Sequence, residues 1–190
     1  ARSYGIFFTT TILKGREYFG AKIIPARGAW VEIESEADGQ LYIKIDRKKK
    51  VPITSLLRVF GLESDEDIIA FMKDVERGEE YMKATLAKDP AETTDDAYLE
   101  LYKRLRDGDL ATVDNAREFV TSIFAPERYD LSEIGRHHFN ERFGLATDKK
   151  ATDVRVVTLD DLKLILTQII TSNHDNNARP DDIDHLGFRR

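Results

Sequence analysis

The 190-residue sequence contains no cysteine. This removes disulfides, thiolate zinc sites and cysteine nucleophiles together, and it fits a reducing compartment. No apolar run approaches the roughly 20 residues that cross a bilayer, so no membrane partner is expected. Positive charge is not in excess either: 29 Lys and Arg against 35 Asp and Glu leave −6 at pH 7. A free-standing nucleic-acid-binding domain is usually basic, because phosphate neutralisation supplies most non-specific affinity. Internal repeats and low-complexity tracts are missing, and 41% of the residues are hydrophobic, too many for a disordered acidic tail. What remains is a folded domain; a chain of this length buries roughly 70% of its unfolded surface. The first residue is Ala1, not Met, and a strand-like pattern starts almost at once with no signal or transit segment before it. The expectation is one domain over residues 1–190, a piece of something longer, working in the cytoplasm.

The first fifty residues read as strands. Ile6-Phe7-Phe8 through Ile12-Leu13 is β-branched and aromatic, and Lys14-Gly15 supplies a turn. A second strand runs from Tyr18 to Ile24 and closes at Pro25. Trp30-Val31-Glu32-Ile33-Glu34 and Leu41-Tyr42-Ile43-Lys44-Ile45 alternate, with Asp38-Gly39 between them as a hairpin signal. The pattern predicts an antiparallel meander that turns Ile33, Leu41, Ile43 and Ile45 inward.

After Pro52 the period becomes helical. Helices are expected over residues 54–60, ended by Gly61, and from a Ser64 cap along Ile68, Met72 and Val75 as far as Gly78. Further helices are expected over 94–106, 112–124 and 132–143, and after Thr158 with Leu162, Ile165, Leu166, Ile169 and Ile170 on the apolar face. Residues 173–179 read as a polar loop with a solvated His174. The fold class is α+β, an N-terminal antiparallel β-meander followed by a largely helical portion.

Catalytic motifs are scarce. No phosphate loop, dinucleotide fingerprint or nucleophile elbow occurs. His137 and His138 are adjacent, so on a helix they diverge and cannot share a metal. Asp181, Asp182 and Asp184 have the look of a magnesium site, but a capping or salt-bridge role beside Arg189 and Arg190 is the stronger expectation. No catalytic residue and no metal ligand is assigned, and no cofactor is expected in this chain. Two features remain open. Arg47, Lys48, Lys49 and Lys50 follow a strand, either as a solvated loop or as a loop facing phosphate. Trp30, the single tryptophan, is either a core aromatic or a base-stacking platform. Alternation favours the second, because an inward Ile33 carries Val31 inward and turns Trp30 out.

Ordered strings then carry a resemblance. They are Arg2-Ser3-x-Gly5-Ile6-Phe7-Phe8, Ala21-Lys22-Ile23-Ile24-Pro25-x-Arg27-Gly28-x-Trp30, Ile45-Asp46-Arg47-Lys48-Lys49-Lys50-Val51-Pro52 and Leu56-Leu57-Arg58. Later come Arg104-x-Arg106-x-Gly108 with Thr112-Val113-x-Asn115-Ala116, Arg128-Tyr129-Asp130-Leu131-Ser132-x-Ile134-Gly135-Arg136, and Asp181-Asp182-Ile183-Asp184-His185-Leu186-Gly187. Together they resemble the lobe domain (domain 2) of the β subunit of bacterial DNA-directed RNA polymerase, along the whole chain.

The resemblance implies a module inserted into the protrusion domain, with its two ends close together, lining the downstream DNA cleft. It implies a pocket for the single-stranded non-template strand at Arg2, Trp30, Ile183, Asp184 and Arg189. There Trp30 stacks on a base, and Asp184 accepts a hydrogen bond from a guanine edge. Arg106, Asp107, Gly108 and Asp109 resemble the gate loop, a contact for NusG-type factors. Other polymerase subunits, promoter DNA and sigma are the remaining implied partners. The chain alone is expected not to polymerise RNA; nucleotidyltransferase activity belongs to the assembled complex, with magnesium held by the partner subunit. Tyr4, Phe188 and Asp107 with Leu110-Ala111 depart from the family pattern. The runner-up is a protein-interaction scaffold that docks subunits or transcription factors.

Overall fold

Period-two alternation builds the sheet. A computed structural model describes residues 4–107 and 109–181. Strands β1 (Gly5–Leu13), β2 (Arg16–Ile24), β3 (Val31–Ser35), β4 (Leu41–Ile45) and β5 (Val51–Pro52) pair antiparallel in chain order. The register puts Phe8, Ala21, Ile33, Ile43 and Val51 in one row across the sheet, all buried. The next row, Phe7, Lys22, Glu32 and Lys44, lies on the opposite face, because successive side chains of a strand alternate. One face is core; the other is charged along this row, with Tyr18 and Ile24 of β2 buried on the same side.

Eight helices follow among the described residues: α1 (Ile53–Val59), α2 (Asp65–Phe71), α3 (Gly78–Leu86), α4 (Thr94–Leu105), α5 (Val113–Ile123), α6 (Ser132–Arg142), α7 (Lys149–Thr152) and α8 (Leu159–Asn173). The molecule is α+β. Helix starts follow capping chemistry: Ser64, Thr93, Thr112, Asp148 and Thr158 each accept from the backbone N–H three residues on. Helices α1 and α3 pack on β4, α8 on β2 and α6 on β1, while α4 and α5 pair behind α1.

The differences from expectation are local. β5 is two residues long, too short for a periodic signal. The second helix stops at Phe71, and Met72 is its buried C-cap. Gly78, read as a stop, instead opens α3 after Arg77 turns left-handed at φ 66°. Helix α7 is one turn long and went unread. Asn173 closes α8 instead of starting a loop. Its Oδ1 accepts from the Phe19 N–H at 2.7 Å, and its Nδ2 donates to Ser35 Oγ at 2.9 Å. His174 is exposed but not simply solvated, since Nε2 lies 2.9 Å from the Tyr81 hydroxyl.

Arg136 ties the helical portion together. Its guanidinium donates to Asp161 at 2.9 and 2.7 Å, and to the carbonyls of Val154 and Val156 at 2.6 and 2.7 Å. Both charged side chains are buried. A conspicuous arginine of the ordered strings is therefore a structural hub.

Candidate nucleic-acid interface

The loop before Trp30 is clamped from outside the sheet. Ala26 and Arg27 donate to the Asp130 carbonyl at 2.8 and 3.0 Å, and Asp130 donates back to Arg27 at 2.9 Å. Gly28 has φ 115°, and a Cβ there would stand 2.7 Å from the Arg128 carbonyl, so the close approach requires glycine. Two strings separated by about a hundred residues thus meet to aim the chain into Trp30.

Trp30 itself is held through its backbone. Its N–H donates to Asp46 Oδ1 at 3.0 Å, and its carbonyl accepts from Asp46 at 2.9 Å. Asp46 and Arg47 both take left-handed backbone, φ 52° and 61°, and Lys48 closes the turn on the Ile45 carbonyl at 3.1 Å. This is the I′ pattern, which reverses a strand sharply. The indole is half-buried, with Val31 and Ile33 at 2% and 1% exposure in the core. Alternation therefore assigned the face correctly. Lys22 Nζ and Arg47 Cζ lie 5.6 and 5.7 Å from the ring centroid, within the range of a cation–π contact. Glu32 faces both cations, 3.7 Å from Lys22 and 3.9 Å from Arg47.

The basic run fans out. Arg47 turns to Trp30; Lys49 pairs with Asp107 at 3.1 Å; Lys50 pairs with Glu36 at 2.8 Å and lies over the Tyr42 ring. The hydrogen bond to Glu36 holds the Lys50 ammonium above its usual pKa. Burial, then Glu36 and Asp38, raise that of Tyr42. Lys48 makes no ion pair among the described residues. All four side chains are exposed.

The Lys49–Asp107 contact joins this loop to the segment after α4. Arg106 closes that segment on Asp109 at 3.0 Å and lies over Phe119 at 5.4 Å. Gly108 lies outside the described residues, as do Arg2, Asp182, Ile183, Asp184 and Arg189. Asp181 is described: it accepts from Arg142 at 2.7 Å and from the Phe8 N–H at 2.5 Å, and donates to the Phe8 carbonyl at 2.8 Å. Its partner among the described residues is thus Arg142.

His137 and His138 do diverge. His137 lies 3.8 Å from Glu141, and His138 Nδ1 donates to the Tyr4 carbonyl at 3.0 Å. No group of three metal-ligating side chains forms among the described residues, and no helix there is long and apolar enough to cross a membrane. Sequence reading missed Lys22 and Glu32 as neighbours of Trp30. The signal was weak, since β2 does not alternate and six residues separate it from β3, so no turn type fixes the register.

Comparison with known proteins meets this geometry. Residues 9–190 match the family model described as RNA polymerase Rpb2, domain 2. The chain is 40% identical over its whole length to a protein of Chloroflexus aggregans named DNA-directed RNA polymerase subunit beta. It is 38% identical, again over its whole length, to one of that name from Syntrophomonas wolfei. A protein of that name from Staphylococcus saprophyticus is 44% identical over 76% of the chain. The chain spans 18%, 16% and 12% of these relatives.

Proposed function

The chain belongs to the RNA polymerase Rpb2 domain 2 family, and from that premise we propose that it is the lobe of a DNA-directed RNA polymerase β subunit. In this role it lines the downstream DNA cleft and holds the unpaired non-template strand. The observation that carries the reading is Trp30: a half-exposed indole at one end of the sheet, flanked by Lys22 and Arg47. A π-face with adjacent cations suits a base and its phosphates. Stacking of one base on an aromatic side chain contributes roughly 1–3 kcal/mol.

In this reading Trp30 stacks on the base, and Asp184 accepts from a guanine edge. Arg2 and Arg189 hold Asp184 or the strand, Ile183 lines the pocket, and residues 47–50 face phosphate. The chain contributes no reacting group. Nucleotidyl transfer and its magnesium belong to the partner subunit of the assembled, cytoplasmic enzyme. The −6 charge is then an average over an acidic outer surface, and the rest of the polymerase supplies the positive field.

The test uses the assembled polymerase with Trp30→Ala and Asp184→Ala. Trp30→Ala is expected to shorten open-complex lifetime about tenfold, and Asp184→Ala to lose start-site preference for guanine at the contacted position. Unchanged lifetime and preference in both variants would overturn the reading. One observation favours the scaffold alternative, in which the lobe docks other subunits, sigma or NusG-type factors. Leu110, beside residues 106–109, is 99% exposed.

A further inference from the structure

The outer face of α6 is not composed like a solvated helix face. Gly135, Arg136, Phe139 and Asn140 are its buried positions. Ile134, His137, His138 and Glu141 therefore gather on the opposite side, at i, i+3, i+4 and i+7. Ile134 is 62% exposed. It lines a cleft of about 740 Å³ beside α7, whose walls carry Lys149 and Arg155 against one carboxylate, Glu133. Arg155 reaches Asp130 only at 3.8 Å, and Lys149 makes no ion pair among the described residues. Leu145 and Val154, on either side of α7, are exposed too. Three of the five large apolar side chains exposed among the described residues thus fall between positions 134 and 154. Apolar side chains gathered in one region within a polar rim mark a contact surface.

The described residues also begin and end at this helix. The Tyr4 carbonyl accepts from His138 Nδ1 at 3.0 Å. The approach is close: a Cβ on Gly5 would stand 3.1 Å from the His138 Cβ, and one on Gly135 would stand 3.1 Å from the Tyr4 Cβ. At the other end Asp181 pairs with Arg142 at 2.7 Å. His138 and Arg142 are four residues apart, about 6 Å along the helix. The chain spans 18% and 16% of two relatives that it matches along its whole length, so most of such a subunit lies beyond these residues.

We propose that the outer face of α6, with the cleft beside α7, is the surface on which the remainder of the same polypeptide docks. The inference rests on the reading of the chain as one part of a β subunit, and not on its DNA contacts. The occupant is a segment outside residues 1–190 that seats an apolar side chain on Ile134 and turns carboxylates to Lys149 and Arg155. Polypeptide flanking Tyr4 and Asp181 starts beside this face, so docking there costs little chain entropy. The contact sets the orientation of the domain within the subunit.

The experiment places the photo-crosslinker p-benzoylphenylalanine at position 137 of the full-length subunit in assembled polymerase and maps the link by mass spectrometry. The expected link is intramolecular, to a peptide of that subunit outside residues 1–190 that is apolar with adjacent Asp or Glu. A link to another subunit, to a second copy or within residues 1–190, or no link, overturns the proposal. The urea concentration at which the link is lost then reads the strength of docking. Ile134→Ser is expected to weaken docking about tenfold and so lower that midpoint. Ile12→Ser, at the far end of β1, should leave it unchanged. An unaltered midpoint in Ile134→Ser, or equal falls in both variants, overturns Ile134 as the anchor. Arg155→Glu should lower the midpoint at low salt more than at high salt; an unaltered midpoint overturns the carboxylate contact. A native polypeptide no longer than these 190 residues would remove the reading and the inference together, whereas a misplaced link leaves the reading intact.

Discussion

Arg47 occupies a backbone conformation that suits glycine better. An I′ turn favours Asp-Gly or Asn-Gly at its centre; here Asp46 fits, and Arg47 stands where glycine is preferred, at φ 61°. Replacing it by glycine relieves roughly 1–2 kcal/mol of left-handed strain. Against this stand about 0.5–1 kcal/mol of lost contact with Trp30 and a similar entropic cost of glycine. These nearly cancel. Arg47→Gly is therefore expected to leave the urea midpoint unchanged while lowering oligonucleotide affinity, so that stability and binding separate at one position. A large fall in the midpoint would mean that the side chain is part of the framework. The same residue shows what a linear reading holds back: the run 47–50 is evident as charge, but its partners Glu32, Asp107 and Glu36 come from three other segments.

Helix α8 shows how an element reports on its neighbours. Asn173 binds β2 and β3, and its Nδ2 also donates to the Tyr81 hydroxyl of α3 at 3.4 Å. That hydroxyl can donate onward to His174 Nε2 only while the imidazole is neutral. Burial first, then Arg77 and Arg16, lower the His174 pKa from its ordinary 6.5, against an opposing pull from Glu80 and Glu76. A histidine whose folded pKa is depressed binds fewer protons folded than unfolded, so stability rises with pH through this range. Its contribution is complete above about pH 6.5 and is lost as pH falls toward the folded value. The drop in Tm between pH 7.5 and 5.5 should accordingly be smaller in His174→Gln than in the parent; an equal drop would remove His174 as the cause.

Such networks explain which elements were legible. Strand β1 was readable from β-branched and aromatic residues, β3 and β4 from alternation against one core face, and two of the helices from the Ser64 and Thr158 caps. Helix α3 was hidden, since its N-cap Arg77 has no side-chain cap and Gly78 normally punctuates. Asn173 was hidden because asparagine favours loops, and only the sheet beneath rewards it in a helix. At the interface, Trp30 and its outward face were readable from alternation. Lys22 and Glu32 required the register.

At the scale of the molecule, the sheet has two edges among the described residues and treats them differently. The far edge, β5, is two residues long and ends in Pro52, which cannot donate to another strand. The near edge, β1, is nine residues long and rich in Phe, Ile and Thr, with Ile12 70% exposed. Asp181 occupies it at Phe8, taking the N–H with its carboxylate and the carbonyl with its own N–H, while Arg142 pairs with that carboxylate and lies over the Phe8 ring at 5.0 Å. Exposed, unpaired edges of this composition recruit strands from other copies. The Asp181 contact therefore doubles as a guard against aggregation. Asp181→Ala is expected to bring on light scattering at lower protein concentration than the parent, without loss of helical circular dichroism. Equal scattering would show that the remainder of β1 is already protected. A residue first noticed as part of an acidic cluster thus keeps a sticky strand from finding its own kind in a crowded cell.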